Sequence, residues 1–447
     1  MSAYTLHRAG LHTVVLEAKT LIGGRSRSQQ LKSGPGVIEL GATWINNITQ
    51  PDVYALTQTF GLETQPQYTD GDVVFQMFDQ SVRRVMQTNA TWSSDPALAE
   101  LEQMMNLLVF DAANKTDIRN FNAFPEKQDV TFAEWLDQNG LWEFELVKGL
   151  ASSLSGALVG REPEEIGVHY FFDYIKSGGG LADLGSEGKY GAQSLKVKNG
   201  TTAIATGLAD ALPEGTVLVN TPVVKIAQNK GTSYITTSCG KTFKSRKVIL
   251  AIPTNTYHAI EFSPPLSANK QTLVSNTKPG VYAKMILSYT EPWWRNAGLV
   301  GKFSSMTGPV CFSWDTSDVS SEQYSLAIFI AGDIGRKWGK LPEREKETAV
   351  IQHLATLVGK ELAGKARDVL EVNYVEWTVE EYLGGAPTSA MGPGYLRRYG
   401  AVLREPFGDL HFGGGETAFE WKGYLEGAVR AGRRAAEEVI EGWGNED

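Results

Sequence analysis

At 447 residues, 42% hydrophobic and 21% charged, the chain can bury substantial cores, and its length fits two domains better than one. Its 51 acidic against 42 basic residues give a formal charge of −9, which disfavours a nucleic-acid polymer as partner. The only cysteines, Cys239 and Cys311, and six scattered histidines form no C-x-x-C or Cys/His cluster, so neither a disulfide framework nor a metal centre is expected.

The N-terminal segment has no apolar stretch of signal-peptide length, and no window reaches the ~18 consecutive apolar residues of a membrane span. The C-terminal EEVIEGWGNED carries neither a membrane tail nor a Ser-Lys-Leu address. A soluble, cytoplasmic protein is expected. The N-x-S/T sequons starting at Asn47, Asn89, Asn114 and Asn199 then read as chance.

In chain order, residues 3–9 form a short helix, Gly10 a turn, and residues 13–17 a buried strand ending in the carboxylate of Glu17, which is the second half of a βαβ unit. Glycine turns follow at Gly23-Gly24 and at Gly41. Residues 51–174 are predicted to be helical and amphipathic, as over 97–110 and 131–144, with few strand signals. Strands return at 217–219, 223–227, 234–237 and 247–253. Further strands are predicted at 283–289 and 324–330, with a helix over 343–358. The end reads as a strand, Leu410-His411-Phe412, running into Gly413-Gly414-Gly415 and then a long helix over 423–441. Strand pieces of a nucleotide-binding type thus recur at the start, middle and end, separated by two insertions. The expected fold is α/β: a discontinuous Rossmann-like domain from residues 1–50, 200–265 and 400–447, with an inserted α+β substrate domain from 51–199 and 266–399. The ligand is expected where the two meet.

The chemistry-bearing residues begin at Glu17, placed where a dinucleotide-binding unit sets a carboxylate on the adenosine ribose, although a strand-terminal Glu by itself is often just a solvated loop residue. Gly23-Gly24-Arg25-Ser26 follows, in which two glycines admit a pyrophosphate and an arginine supplies charge-assisted donors. Glu39-Leu40-Gly41-Ala42-Thr43-Trp44 is a third small-residue turn.

The blocks LEAKTLIGGRSRS, IELGATWI, KPGVYAKMILSYTEPWW and HFGGGETAFEWKGYLEGAVRAGRRAAEEV together resemble the flavin-containing amine oxidases over essentially the whole chain, the fungal members most in style. The resemblance implies FAD as cofactor, an amine as substrate and dioxygen as acceptor. By position it implies Glu17 at the adenosine ribose, Gly24 and Arg25 at the pyrophosphate, Thr43 and Trp44 beside the flavin, and the backbone of Val224 at the adenine. Gly415, Glu416 and Thr417 match the loop at the pyrophosphate and ribityl chain; Glu416 is alternatively a cap of the last helix. Lys284, a lone cation in an apolar strand, is either an outward-facing lysine or, as the resemblance implies, the group that promotes reaction with dioxygen. Tyr424 matches one wall of an aromatic cage around the amine, with a core tyrosine as the alternative. Gln193 is either a substrate-side polar group or part of a solvated loop.

Two departures from the family pattern qualify these expectations. Ala386 and Pro387 stand where mammalian monoamine oxidases carry the flavin-tethering cysteine and the second cage aromatic, so the FAD is expected to be non-covalent. Another ring, such as Trp377, must then supply the opposite wall. In addition, Met1–Leu6 matches the inside of the first helix of the family pattern, without the first strand and its G-x-G-x-x-G turn. The resemblance therefore implies either a longer natural chain or a flavin fold with weakened or absent FAD binding. The expected activity is FAD-dependent amine oxidation to imine and hydrogen peroxide; a related oxidase or desaturase acting on a carbon skeleton, and a non-catalytic relic of the fold, remain open.

Overall fold

The protein is described from a computed structural model over residues 1–443; residues 444–447 and the side chain of Asn89 lie outside the described residues. Helix Ser2–Arg8 packs on the closing helix Leu425–Trp443, with Leu6 against Ala436 and Val439, and the Ser2 hydroxyl donates to the Gly432 carbonyl at 2.8 Å. Strand Val15–Leu16 then pairs in parallel with Val217–Leu218. Sequence predicted a buried strand over 13–17, but the strand is shorter and half-buried, and Val14 is 52% exposed. The reason is neighbourhood: among the described residues this strand has one partner, and its other flank opens on a cavity. A second parallel pair, Val248–Leu250 with Leu410–Phe412, completes the nucleotide-type strands.

Seven strands form a wide sheet in the order Glu371–Glu376, Tyr282–Tyr289, Tyr324–Ala331, Phe312–Asp315, Leu299–Ser305, Asp72–Gln76 and Val82–Met86. Tyr282–Tyr289 is flanked on both sides and buried along its whole length. Side chains alternate across a strand, and here Ala283, Met285, Leu287 and Tyr289 pack with Val350 and Leu354 of helix Glu343–Leu357. Tyr282 and Ile286 pack on the opposite face with Phe329 and Trp377. Lys284 shares that face by the same alternation.

The helical reading of residues 51–174 needs correction. Asp72–Gln76 and Val82–Met86 are a hairpin that joins the wide sheet through parallel pairing with Leu299–Ser305. The run Val73-Val74-Phe75 suits a half-buried pleat, and Gln80 at φ 67° makes the turn. Strands Leu299–Ser305, Phe312–Asp315 and Glu371–Glu376 were likewise not predicted. The amphipathic pattern over 131–144 covers a short helix, Phe132–Gln138, which stops before the turn at Gly140 (φ 72°), and Glu145–Val159 begins afterwards. The remaining helices, including Pro96–Lys115 and Val168–Ser177, enclose a core of Val109, Phe132, Leu150, Phe171 and Phe172. Among the described residues no helix is long and apolar enough to cross a membrane.

Candidate active site

A cavity of about 670 Å³ gathers residues from every one of these layers. Part of its wall comes from the parallel strands and their turns: Val15, Glu17, Gly23, Gly24, Arg25 and Val217. Glu17 is half-buried, its Oε1 accepting the Lys19 amide at 2.8 Å, and burial raises its pKa above the usual carboxylate range. Arg25 is oriented by two acceptors, since Nη1 donates to the Pro387 carbonyl at 2.7 Å and lies 3.0 Å from Glu416 Oε1. Gly41 tolerates no side chain, because a Cβ there would fall 2.2 Å from the Arg25 carbonyl oxygen.

Lys284 stands in the middle of the molecule at 2% exposure. Its Nζ donates to the Gly41 carbonyl at 2.9 Å and to Thr43 Oγ1 at 2.5 Å, beneath the rings of Trp44 and Phe329. Burial pushes its pKa well below the lysine range, opposed by the charge of Glu39. Glu39 is itself buried; it accepts bonds from the Thr201 amide and from Ser28 Oγ, and burial drives its pKa up. Lys284 is therefore an interior, wall-lining cation and not an outward-facing lysine.

A third part of the wall is aromatic. Phe312 and Phe329 stack with centroids 4.8 Å apart, Trp44 meets Trp314 edge-on at 5.3 Å, and Tyr282 lies 6.0 Å from Phe329. Across the helical core, Tyr174 and Tyr424 face each other with centroids 6.1 Å apart. Leu154, Leu158, Leu181, Leu184 and Ala192 fill the intervening surface. Gln193 also lines the cavity. Its Nε2 donates to the Leu184 carbonyl at 3.0 Å, while its Oε1 is buried with no partner among the described residues.

The predicted residues are thus largely brought together: Glu17, Gly24, Arg25, Thr43, Trp44, Gln193, Lys284, Trp377, Pro387, Gly415 and Tyr424 line this one cavity. Glu416 and Thr417 stand behind it, buried. Glu416 is no cap of the last helix, which starts only at Leu425; its carboxylate accepts the Thr254 amide at 2.6 Å and holds Arg25. Val224 is 40% exposed and does not line the cavity. Trp377 lines it as well. Its Nε1 donates to the Leu40 carbonyl at 3.1 Å and Arg27 covers its ring at 4.9 Å, so it belongs to the Lys284 side, and Tyr174 is the cavity ring that faces Tyr424. Sequence reasoning missed Tyr174, Tyr282, Phe312, Trp314 and Phe329. The i, i+2 spacing of Phe312 and Trp314, and of Tyr282 and Lys284, is the strand alternation that could have found the faces of three of these five positions once the strands were known.

The family model for flavin containing amine oxidoreductase matches residues 1–440. The chain belongs to this family. A flavin-containing monoamine oxidase AofH of Mycobacterium tuberculosis is 32% identical over 98% of this chain and 93% of its own length. A flavin-containing monoamine oxidase A of Dictyostelium discoideum is 29% identical, covering 98% of this chain and 94% of its own. Among solved structures, cyclohexylamine oxidase from Brevibacterium oxydans superposes with a TM-score of 0.91 at 26% identity, covering 99% and 96% of the two chains.

FAD is the cofactor of this amine oxidoreductase family, and the cavity suits it. The wall offers a carboxylate for a ribose diol at Glu17, a fixed guanidinium for a pyrophosphate at Arg25, and turned backbone with no side chain at Gly23 and Gly24 (φ 108° and 60°). Among the described residues neither Cys239 nor Cys311 lines the wall and Ala386 presents a methyl group, which is consistent with non-covalent FAD.

Proposed function

We propose that this FAD-dependent amine oxidase acts on apolar monoamines carrying an aromatic or bulky alkyl group, releasing the imine and hydrogen peroxide. The carrying observation is the charge census of the wall: among the described residues its only charged side chains are Glu17, Arg25 and Lys284; the single carboxylate, Glu17, belongs to the strand-and-turn part with Arg25, and Lys284, beneath Trp44 and Phe329, is the one that adjoins the aromatic part. Glu187 stands behind Trp314 and is spoken for, accepting the Trp314 Nε1 hydrogen at 2.8 Å and pairing with Lys302. A diamine would bury a second ammonium with no carboxylate to meet it, and an amino acid would bury a carboxylate with no arginine to meet it.

In this reading Glu17 holds the adenosine ribose, and Gly24, Arg25, Gly415, Glu416 and Thr417 the pyrophosphate region. Residues 1–50, 200–265 and 400–447 form the cofactor domain, and 51–199 with 266–399 the substrate domain. Thr43, Trp44, Trp377 and Lys284 border the flavin, which when bound takes a hydride equivalent from the carbon next to nitrogen and passes two electrons to dioxygen. Lys284 stabilises the negative charge that develops on dioxygen. Tyr424, Pro387 and Tyr174 confine the amine, and the free Oε1 of Gln193 accepts a hydrogen bond from its N–H. No side chain need act as a strong base, because the neutral amine supplies the driving lone pair.

The test is peroxide release with benzylamine, hexylamine, 1,4-diaminobutane and phenylalanine. An uncompensated buried charge costs several kcal/mol, so kcat/KM for the last two is expected to fall below that of benzylamine by on the order of 100-fold or more. Equal turnover of the diamine or the amino acid would overturn the substrate assignment.

A further inference from the structure

Behind the two facing tyrosines lies a buried ion pair with no part in the chemistry above. Lys422 Nζ pairs with Asp173 Oδ2, and the two side chains are 2% and 0% exposed. Neither lines the cavity, but each adjoins a residue that does. Asp173 precedes Tyr174 on helix Val168–Ser177, and Lys422 lies two residues before Tyr424.

The segment carrying Tyr424 has an unusual shape. Trp421 (φ 54°) and Gly423 (φ 80°) both sit in the left-handed region, on either side of Lys422. A Cβ at Gly423 would come within 3.1 Å of the Tyr174 hydroxyl and Cε2, so the backbone here lies directly against the facing ring. Helix Val168–Ser177 grips the segment at further points: the Trp421 amide donates to the Ser177 carbonyl at 2.7 Å and the Lys422 amide to Ser177 Oγ at 3.3 Å. Arg404 steadies the stretch just before, its Nε donating to the Thr417 carbonyl at 2.6 Å and its Nη2 to the Ala418 carbonyl at 2.7 Å.

A buried ion pair is a poor source of stability, since desolvation offsets the attraction and apolar replacements of similar volume are often neutral or better. Asp173 makes this worse, because its Oδ1 is buried without a partner among the described residues. What the pair does supply is direction: it joins the helix bearing Tyr174 to the loop bearing Tyr424 at one separation.

We infer that Lys422 and Asp173 are positioning residues whose ion pair sets the spacing of Tyr174 and Tyr424, and so the fit of the substrate's apolar group. The inference rests on the reading that Tyr424 borders the substrate. A defect in folding alone lowers the active fraction and leaves the ratio of kcat/KM for a large and a small amine unchanged. A shifted wall changes that ratio.

The experiment compares benzylamine with propylamine in the FAD-loaded enzyme. Lys422→Met with Asp173→Leu, which replaces both charges by apolar groups, is expected to keep flavin content and thermal midpoint near the parent's. KM for benzylamine should rise about tenfold while kcat changes less than about threefold, so the benzylamine-to-propylamine ratio drops about tenfold. An unchanged ratio overturns the inference. If the double variant does not fold, Asp173→Asn, which keeps the shape and removes the charge, is read by the same ratio. Tyr424→Ala separates the two levels. If it too leaves the ratio unchanged, the placement of Tyr424 at the substrate fails; if it alters the ratio while the ion-pair variants do not, only the positioning role fails.

Discussion

Lys284 concentrates the chemistry of this chain at one atom. Its Nζ is fixed by the Gly41 carbonyl and Thr43 Oγ1, and burial lowers its pKa while Glu39 partly restores it. Lys284→Met keeps the length and removes the charge, so flavin reoxidation is expected to slow by on the order of 10-fold or more, with amine-dependent reduction little changed. Stopped-flow measurement of both half-reactions checks this; equal reoxidation rates would make the lysine structural. The pH dependence has a sign. The ammonium is the assisting form and is lost as pH rises through its lowered pKa, so parent reoxidation should decline with rising pH well before the ~10.4 of a free lysine, and the variant should show no such step. Ala386 carries a second prediction. With a methyl group there and no cysteine on the wall, acid or heat denaturation should release all the flavin. Flavin fluorescence that migrates with the denatured chain would contradict it.

Among the elements, the parallel pairs show most about the nucleotide side. Among the described residues, Val15–Leu16 pairs only with Val217–Leu218, and Val248–Leu250 only with Leu410–Phe412. Val15, Val217, Ala251 and Ile252 from the two pairs all border the cavity. An extended segment laid along the unused edge of Val15–Leu16 would satisfy its free backbone groups, each worth about 1–3 kcal/mol if buried unpaired. A chain extended upstream by a strand and a G-x-G-x-x-G turn should therefore show a higher flavin-to-protein ratio and a higher thermal midpoint than this one. Equal values would mean that the pair suffices as it stands. These strands were legible because apolar runs between glycine turns leave a local mark. Asp72–Gln76 and Phe312–Asp315 were not, because their strand character comes from pairing more than from composition, and for Asp72–Gln76 the link to the wide sheet, Leu299–Ser305, lies far along the chain.

Across the whole molecule, the site became legible where a motif and a turn coincide, as at Glu17, Gly24, Arg25 and Glu416. The aromatic wall did not, because Tyr174, Tyr282, Phe312 and Phe329 come from separate elements that only the tertiary fold joins. Trp377 packs with Phe329, Leu383 and Ala386, while Tyr424 meets Tyr174, a ring from a different element. The fully buried strand Tyr282–Tyr289, bonded along both edges, has a kinetic consequence. Local openings span from near zero up to the global unfolding free energy, and this strand belongs at the top of that range, whereas Val15–Leu16, half-buried with one partner, belongs near the bottom. Amide hydrogens of Met285, Ile286 and Leu287 should exchange only through global unfolding, and that of Leu16 should exchange orders of magnitude faster. The enzyme would then age from its nucleotide side: on warming, flavin escapes while the lysine-bearing sheet is still intact, and early heat inactivation should be reversible simply by adding FAD.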